Sequence, residues 1–181
     1  MAFPAFLDTC VLFPAYLTDT ALRLAAARTY RPLWSAGVFE ELRRNLIEVG
    51  IEVAAVDRRI GRMREAFPDA EVSGYEALVP AMTNDPKDRH VLAAAVRARA
   101  EVIVTFNLKD FATSALEPFD LVAVHPDDFL LDQLDLYPKL TLQCLEDQAA
   151  SYKHEPTTVA DLMARLARSG VPRFAGEVLR H

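Results

Sequence analysis

The sequence predicts an α/β fold, a mainly parallel sheet flanked by helices and extended at its C-terminus by helices alone. Three observations lead there. Short apolar runs alternate with Ala- and Leu-rich helical stretches as far as Val124, the pattern of βαβ units joined by right-handed crossovers. The clearest run, Val102-Ile103-Val104-Thr105, is apolar and β-branched, as suits a strand covered on both faces. Beyond Pro126 only helical patterns remain.

The elements follow in order. Residues 3–7 form a short apolar strand that ends at Asp8. Residues 12–28 read as one helix, with Pro14 tolerated in its first turn. Pro32-Leu33-Trp34 is a second strand, and Ser35 caps a helix that runs to Gly50, a residue suited to a helix stop. Residues 52–67 form the next helix, closed by Pro68, and a short strand is expected near Val72. Asp85-Pro86 starts another helix, a capping residue followed by proline at the first helical position, which runs to Ala100. The strand at 102–105 and a weaker one at 121–124 complete the sheet, and helices follow at 127–136, 139–153, 158–169 and 173–180. Residues 1–128 are expected to form the α/β domain and residues 129–181 the helical extension.

Composition narrows the function. The 181 residues are 51% hydrophobic and 25% charged, the balance of a globular protein with a substantial core. Six glycines form none of the GxGxxG or GxxxxGK patterns, which excludes the common dinucleotide and P-loop phosphate cradles. Two cysteines, Cys10 and Cys144, are too few for a disulfide scaffold and fit a reducing cytoplasm. No run approaches the roughly 20 apolar residues of a membrane span. No Lys or Arg precedes Arg23, so a secretory leader is not expected. The net charge of −6 argues, taken alone, against a protein that grips nucleic acid through bulk positive charge.

The acids carry the chemistry. Ligands of open α/β sheets bind beyond the carboxyl ends of the strands, where Asp8 and the turn Thr105-Phe106-Asn107-Leu108-Lys109-Asp110 lie. Asp88 falls at helical spacing within the apolar stripe Val91, Leu92, Ala95 and Val96. A carboxylate facing a core needs a partner or a cation; the plainer reading is that Asp88 serves the exposed helix start. Glu41 lies nearer than Glu40 to the stripe Val38, Phe39, Leu42 and Leu46. Asp8 and Asp110 are also at home as ordinary turn and cap residues. Four acids brought together would raise one another's pKa and call for a hard divalent cation, Mg²⁺ or Mn²⁺. The four histidines form no HExxH-like pattern for a softer metal.

The segments Leu7-Asp8-Thr9-Cys10-Val11-Leu12, Ser35 through Leu42, Asp85 through Asp88 with Val91-Leu92-Ala93-Ala94-Ala95, and Val104-Thr105-Phe106-Asn107 through Asp110-Phe111 resemble, in order, the PIN-domain nucleases. The nearest likeness is to the VapC-type toxin ribonucleases of bacterial toxin–antitoxin systems, over residues 3–125. The resemblance implies a metal-dependent endoribonuclease whose acidic quartet falls on Asp8, Glu41, Asp88 and Asp110, with Thr105 and Asn107 also lining the site. It implies Mg²⁺ or Mn²⁺ as cofactor, RNA as substrate, and an antitoxin protein as partner. Cys10 departs from the usual Asn, and Glu40-Glu41 leaves the second acid ambiguous by one position, with helical phase favouring Glu41.

Two other readings stay open: an interaction module of the same fold with little catalysis, and a small-molecule phosphohydrolase using the same acids. A cysteine phosphatase is excluded, because position 16, where its Arg would stand, is Tyr16. A haloacid-dehalogenase-type phosphatase wants a second Asp where Cys10 stands. Arg43, Arg44, Arg58 and Arg62 are the expected RNA contacts, although a solvated helix face explains them equally well. Residues 126–155 carry seven acids against two lysines, a poor RNA surface. Their leucines pack back on the domain or meet an antitoxin or a second subunit.

Overall fold

The computed structural model describes residues 2–181, so Met1 of the expected α/β domain lies outside the described residues. Five short strands form β1 (Pro4–Leu7), β2 (Arg31–Ser35), β3 (Glu71–Val72), β4 (Val102–Val104) and β5 (Val122–Val124). They make one sheet in the order β3-β2-β1-β4-β5, and every neighbouring pair is parallel. Ala5, Phe6 and Leu7 of the central strand are completely buried, because helices cover both faces. In β1 and β4, Phe6 pairs with Ile103 and Leu7 with Val104, which aligns the carboxyl ends of the two strands.

The expected single helix over 12–28 is two helices, α1 (Thr9–Leu12) and α2 (Ala15–Ala26). Pro14 breaks them apart: it stands in extended geometry (φ −70°, ψ 121°) at the start of α2, where its missing N–H costs nothing. The helix α3 (Ala36–Glu48) begins where Ser35 Oγ accepts from Val38 N, and buries Val38, Phe39, Leu42 and Leu46. A second helix, α4 (Val53–Ala66), packs against it. The expected helix over 86–100 is also divided. A 3-10 turn, Pro86–Asp88, precedes α5 (Arg89–Arg97), and Asp88 is the joint. Short turns unseen in the sequence connect the rest: 3-10 turns at Glu76–Ala81, Leu108–Asp110 and Glu117–Phe119; a short helix, α6 (Thr113–Leu116), stands just after Phe111.

Four helices close the chain, α7 (Pro126–Leu136), α8 (Pro138–Ser151), α9 (Val159–Arg168) and α10 (Pro172–Val178). The expected break at 128/129 therefore falls inside α7. Leu130, Leu134, Leu145, Leu162 and Phe174 belong to the same buried cluster as the sheet residues. The completely buried Gln148 of α8 accepts from Thr20 Oγ1 (2.7 Å) and donates to the Tyr16 carbonyl (3.1 Å), both on α2. Leu136 and Leu140, expected in that packing, are 64% and 39% exposed. No helix among the described residues is long and apolar enough to cross a membrane.

A shared core predicts shared unfolding. Urea denaturation should show one transition by both fluorescence and circular dichroism. Leu162→Ala, at a completely buried position of α9, should lower the stability of the whole chain by about 2–5 kcal/mol. Two separate transitions, with only one moved by the substitution, would show that the helices fold apart from the sheet.

Candidate active site

The acids converge beyond the ends of β1 and β4, where the chain leaves the sheet to opposite sides. Asp8 N still bonds to the Val104 carbonyl (3.1 Å), so this residue is held as firmly as the strand before it. Its carboxylate accepts from Thr9 N through Oδ1 (2.8 Å), which caps α1, and from Thr105 Oγ1 through Oδ2 (2.7 Å). Thr105 is completely buried. Its place is therefore behind Asp8, holding the acid, and not on the cavity wall that the resemblance implies for it. Cys10 occupies the position of the usual Asn, with Sγ 3.5 Å from both Asp8 Oδ2 and Thr105 Oγ1. Burial, and then the Asp8 charge, push this thiol up to about 12, so it remains a protonated neighbour.

The two neighbouring glutamates of α3 differ in direction. Glu40 is exposed, whereas Glu41 turns inward, where Oε2 accepts from Thr9 Oγ1 (3.2 Å) and lies 3.8 Å from His90 Nε2. Gly37, in the first turn of α3, makes that approach possible: a Cβ there would stand 3.1 Å from both His90 Nδ1 and the Tyr75 hydroxyl.

Asp88 sits at φ −105°, ψ 7°, and makes no capping hydrogen bond to α5. Asp85 caps the 3-10 turn before it instead, accepting from Lys87 N (3.1 Å). Asp88 is only 6% exposed and its Oδ2 has no hydrogen-bond partner. Burial first, then the charges of Asp8, Asp110 and Glu41, raise its carboxyl from 3.8 to about 7, with Lys87 partly offsetting them. Asp110 ends the 3-10 turn Leu108–Asp110 and is 7% exposed, and its Oδ2 accepts no hydrogen bond from the protein's buried groups. The Lys87 ammonium is 3.4 Å from that oxygen, an ion pair whose lysine is largely in solvent. Asp85 N bonds to the Asp110 carbonyl (3.2 Å), which ties the two acid-bearing turns together.

Asp8, Thr9, Cys10, Glu41, Asp88 and Asn107 line one cavity of about 420 Å³, with Asn45 and Glu48 at its α3 side. Asn107 thus reaches the cavity, whereas Asp110 lies beside Asp88 without lining it. Sequence reasoning missed Thr9, His90, Asn45 and Glu48. The last two were discoverable, since positions 41, 45 and 48 share one helix face. Among the described residues, no three His, Cys, Asp or Glu side chains stand close enough to form a ready-made metal cluster. Asp8, Glu41 and Asp88 surround a shared space instead of touching. The bare Asp88 Oδ2, together with Asp110 Oδ2 whose one neighbour is a lysine largely in solvent, is nevertheless what a hard cation, directly or through water, would satisfy.

None of Arg43, Arg44, Arg58 and Arg62 lines the acidic cavity. Arg43 is paired with Asp57 (2.8 Å) on the surface. Arg58 and Arg62 face a larger groove of about 1840 Å³ between α2 and α4, also lined by Arg23, Arg28, Arg31 and Arg59. The Arg59 guanidinium is committed to the fold: it donates to the Leu12 and Phe13 carbonyls and to Thr18 Oγ1, and so braces the break between α1 and α2.

Comparison with known proteins matches residues 4–109 to the PIN domain family and residues 126–180 to a family described as the VapC50 C-terminal domain. Over 107 residues the chain is 52% identical to "Putative ribonuclease VapC50" of Mycobacterium tuberculosis, a match covering 59% of this chain and 63% of that protein. The aligned part is thus less than two thirds of the relative's length. No solved structure matches the chain to significance.

The Asp88 environment makes a prediction with a definite sign. Its folded pKa of about 7 exceeds the 3.8 of the free group, so the folded chain keeps a proton that the unfolded chain has released. Stability then falls as pH rises between these two values and is flat above them. In metal-free buffer at pH 8, Asp88→Asn should melt about 2–8 °C higher than the parent, and the gap should close towards pH 4. Equal melting temperatures at both pH values would mean that the charge is not under strain.

Proposed function

The chain belongs to the PIN-domain family, and from that premise we propose that it is a metal-dependent endoribonuclease, the toxin of a toxin–antitoxin pair acting in the cytoplasm. The observation that carries this reading is the buried Asp88 carboxyl, with a partnerless oxygen and Asp8, Asp110 and Glu41 as its charged neighbours. When bound there, Mg²⁺ or Mn²⁺ supplies the charge that lets the acids ionise together and polarises the phosphodiester under attack.

The side chains have distinct tasks. Asp8, Asp88 and Asp110 hold the cation directly or through water. Asp8 is pre-aligned by Thr105 and the α1 N-terminus, so little rearrangement is needed. Glu41, steadied by Thr9, joins these acids or orients the attacking water. Asn107 meets the scissile phosphate at the cavity wall. Lys87, over Asp110, balances its charge in the metal-free state and is free to swing onto an RNA phosphate. In-line attack by water leaves a 5′-phosphate and a 3′-hydroxyl.

The exposed Glu48 and Val49 at the α3 side of the cavity leave it open to solvent. That supports a polymer substrate over a small phosphate ester. Purified protein should cut single-stranded RNA with Mn²⁺ or Mg²⁺ and stop when EDTA is added. Asp8→Asn and Asp88→Asn should each lower the rate by at least about 100-fold. Parental rates in both variants would overturn the reading, and hydrolysis of p-nitrophenyl phosphate without RNA cleavage would favour the phosphohydrolase.

The antitoxin takes the groove between α2 and α4. Among the described residues, Arg28, Arg31, Arg58 and Arg62 there form no ion pairs, and Phe3, Leu22, Met63 and Phe67 supply apolar lining. An acidic segment with apolar side chains fits such a surface. Arg58→Glu combined with Arg62→Glu should weaken antitoxin binding at least about 10-fold while leaving RNA cleavage by the free protein unchanged. Loss of cleavage with intact antitoxin binding would instead make these arginines RNA contacts.

A further inference from the structure

Phe106 is the point at which the C-terminal helices meet the acidic site. It follows Thr105, the residue that holds Asp8, and precedes Asn107, which lines the cavity. Its backbone N–H donates to Cys10 Sγ (3.3 Å), and Asn107 N donates to Thr105 Oγ1 (3.0 Å). The Phe106 backbone therefore lies inside the hydrogen-bonded network around Asp8.

Its ring points the other way, into the helical extension. On one side is Gly170, between α9 and α10, at φ +99°. A Cβ at Gly170 would stand 2.7 Å from Phe106 Cε1 and 3.1 Å from Cζ. No other residue type fits there without moving the ring, and the backbone angle itself favours glycine. On another side His125 meets the ring edge to face, with centroids 5.1 Å apart and planes at 83°.

Both contacts are anchored. His125 Nδ1 accepts from Asp127 N (3.1 Å) at the start of α7. Asp127, 4% exposed, accepts in turn from Arg173 N (3.0 Å) and Phe174 N (2.7 Å) at the start of α10. The starts of α7 and α10 are thereby locked together, with Gly170 just ahead of α10.

We infer that the C-terminal helices position the catalytic loop: Gly170 and His125 grip the Phe106 ring and thereby fix Thr105, Asn107 and, through Thr105, the Asp8 carboxylate. Phe106 and Gly170 are positioning residues that touch neither substrate nor cation. This role rests on the cation-site reading above. It gives the extension a task within the reaction, distinct from binding RNA or covering a partner.

Isothermal titration with Mn²⁺ on the full chain tests it, alongside circular dichroism and melting. Gly170→Ala, which drives a methyl into the ring, should weaken Mn²⁺ binding at least about 10-fold and lower kcat for RNA with KM little changed. Gly176→Ala in α10, where a Cβ would meet nothing within 4 Å, should bind Mn²⁺ like the parent. If Gly170→Ala does not fold, Phe106→Ala carries the test, because it releases the grip without a clash and should weaken Mn²⁺ binding to a similar degree. A folded Gly170→Ala or Phe106→Ala protein that binds Mn²⁺ within twofold of the parent overturns the inference. A parent that binds no Mn²⁺ overturns the underlying cation-site reading instead, so the two failures are distinguishable.

Discussion

Parallel pairing of β1 with β4 brings Asp8 and Thr105 to the same end of the sheet, and their hydrogen bond is the contact on which the site's geometry depends. Asp8 is thereby fixed at both oxygens, one by the α1 N-terminus and one by a hydroxyl from the neighbouring strand. The remaining acids are arranged around it. Glu41 comes through Thr9, Asp88 through a 3-10 turn capped by Asp85, and Asp110 through a backbone bond to that same turn.

This arrangement is costly in the free protein. Asp88 carries a buried oxygen without a partner, Asp110 one whose only neighbour is the exposed Lys87, and burial, then the neighbouring acids, hold the Asp88 carboxyl well above its ordinary range. The fold tolerates it because the strain is confined to one end of a well-filled core, in which Phe6, Leu7, Leu92 and Ile103 are completely buried. Unpartnered carboxylates at a strand end are also what makes a polar cavity receptive to a cation. On the function proposed above, the same feature lowers stability and receives the cation.

The helical extension is part of this economy. It shares the core of the sheet through Leu130, Leu162 and Phe174, and reaches the site through one ring, that of Phe106, seated against Gly170. The acids of residues 126–155 are spent partly on internal capping. Asp127, which a tally counts as surface charge, is buried under the start of α10. Bulk charge therefore says little about what this protein binds; the −6 total mixes acids of the site, acids that cap helices and acids in solvent.

Much of the fold was legible in the sequence because its signals are local. Apolar β-branched runs and Ser35 as a cap depend only on near neighbours and stand where expected, while Asp85-Pro86 opens a 3-10 turn just ahead of the helix it was expected to start. The break at Pro14 was misjudged because proline suits both the first turn of a helix and the joint between two. Asp88 stood out because a carboxylate on an apolar stripe violates amphipathic patterning. Other assignments needed long-range packing. Thr105 is a support for Asp8, Arg58 and Arg62 face a separate groove, and His90 approaches Glu41 because Gly37 makes room. The sequence by itself determined the elements and the four candidate acids, since periodicity and capping act within a few residues. Which oxygens are satisfied, which are left bare, and what steadies the loop between them were decided by the tertiary structure, because those partners lie as far apart in the chain as Asp8 and Thr105 or Phe106 and Gly170.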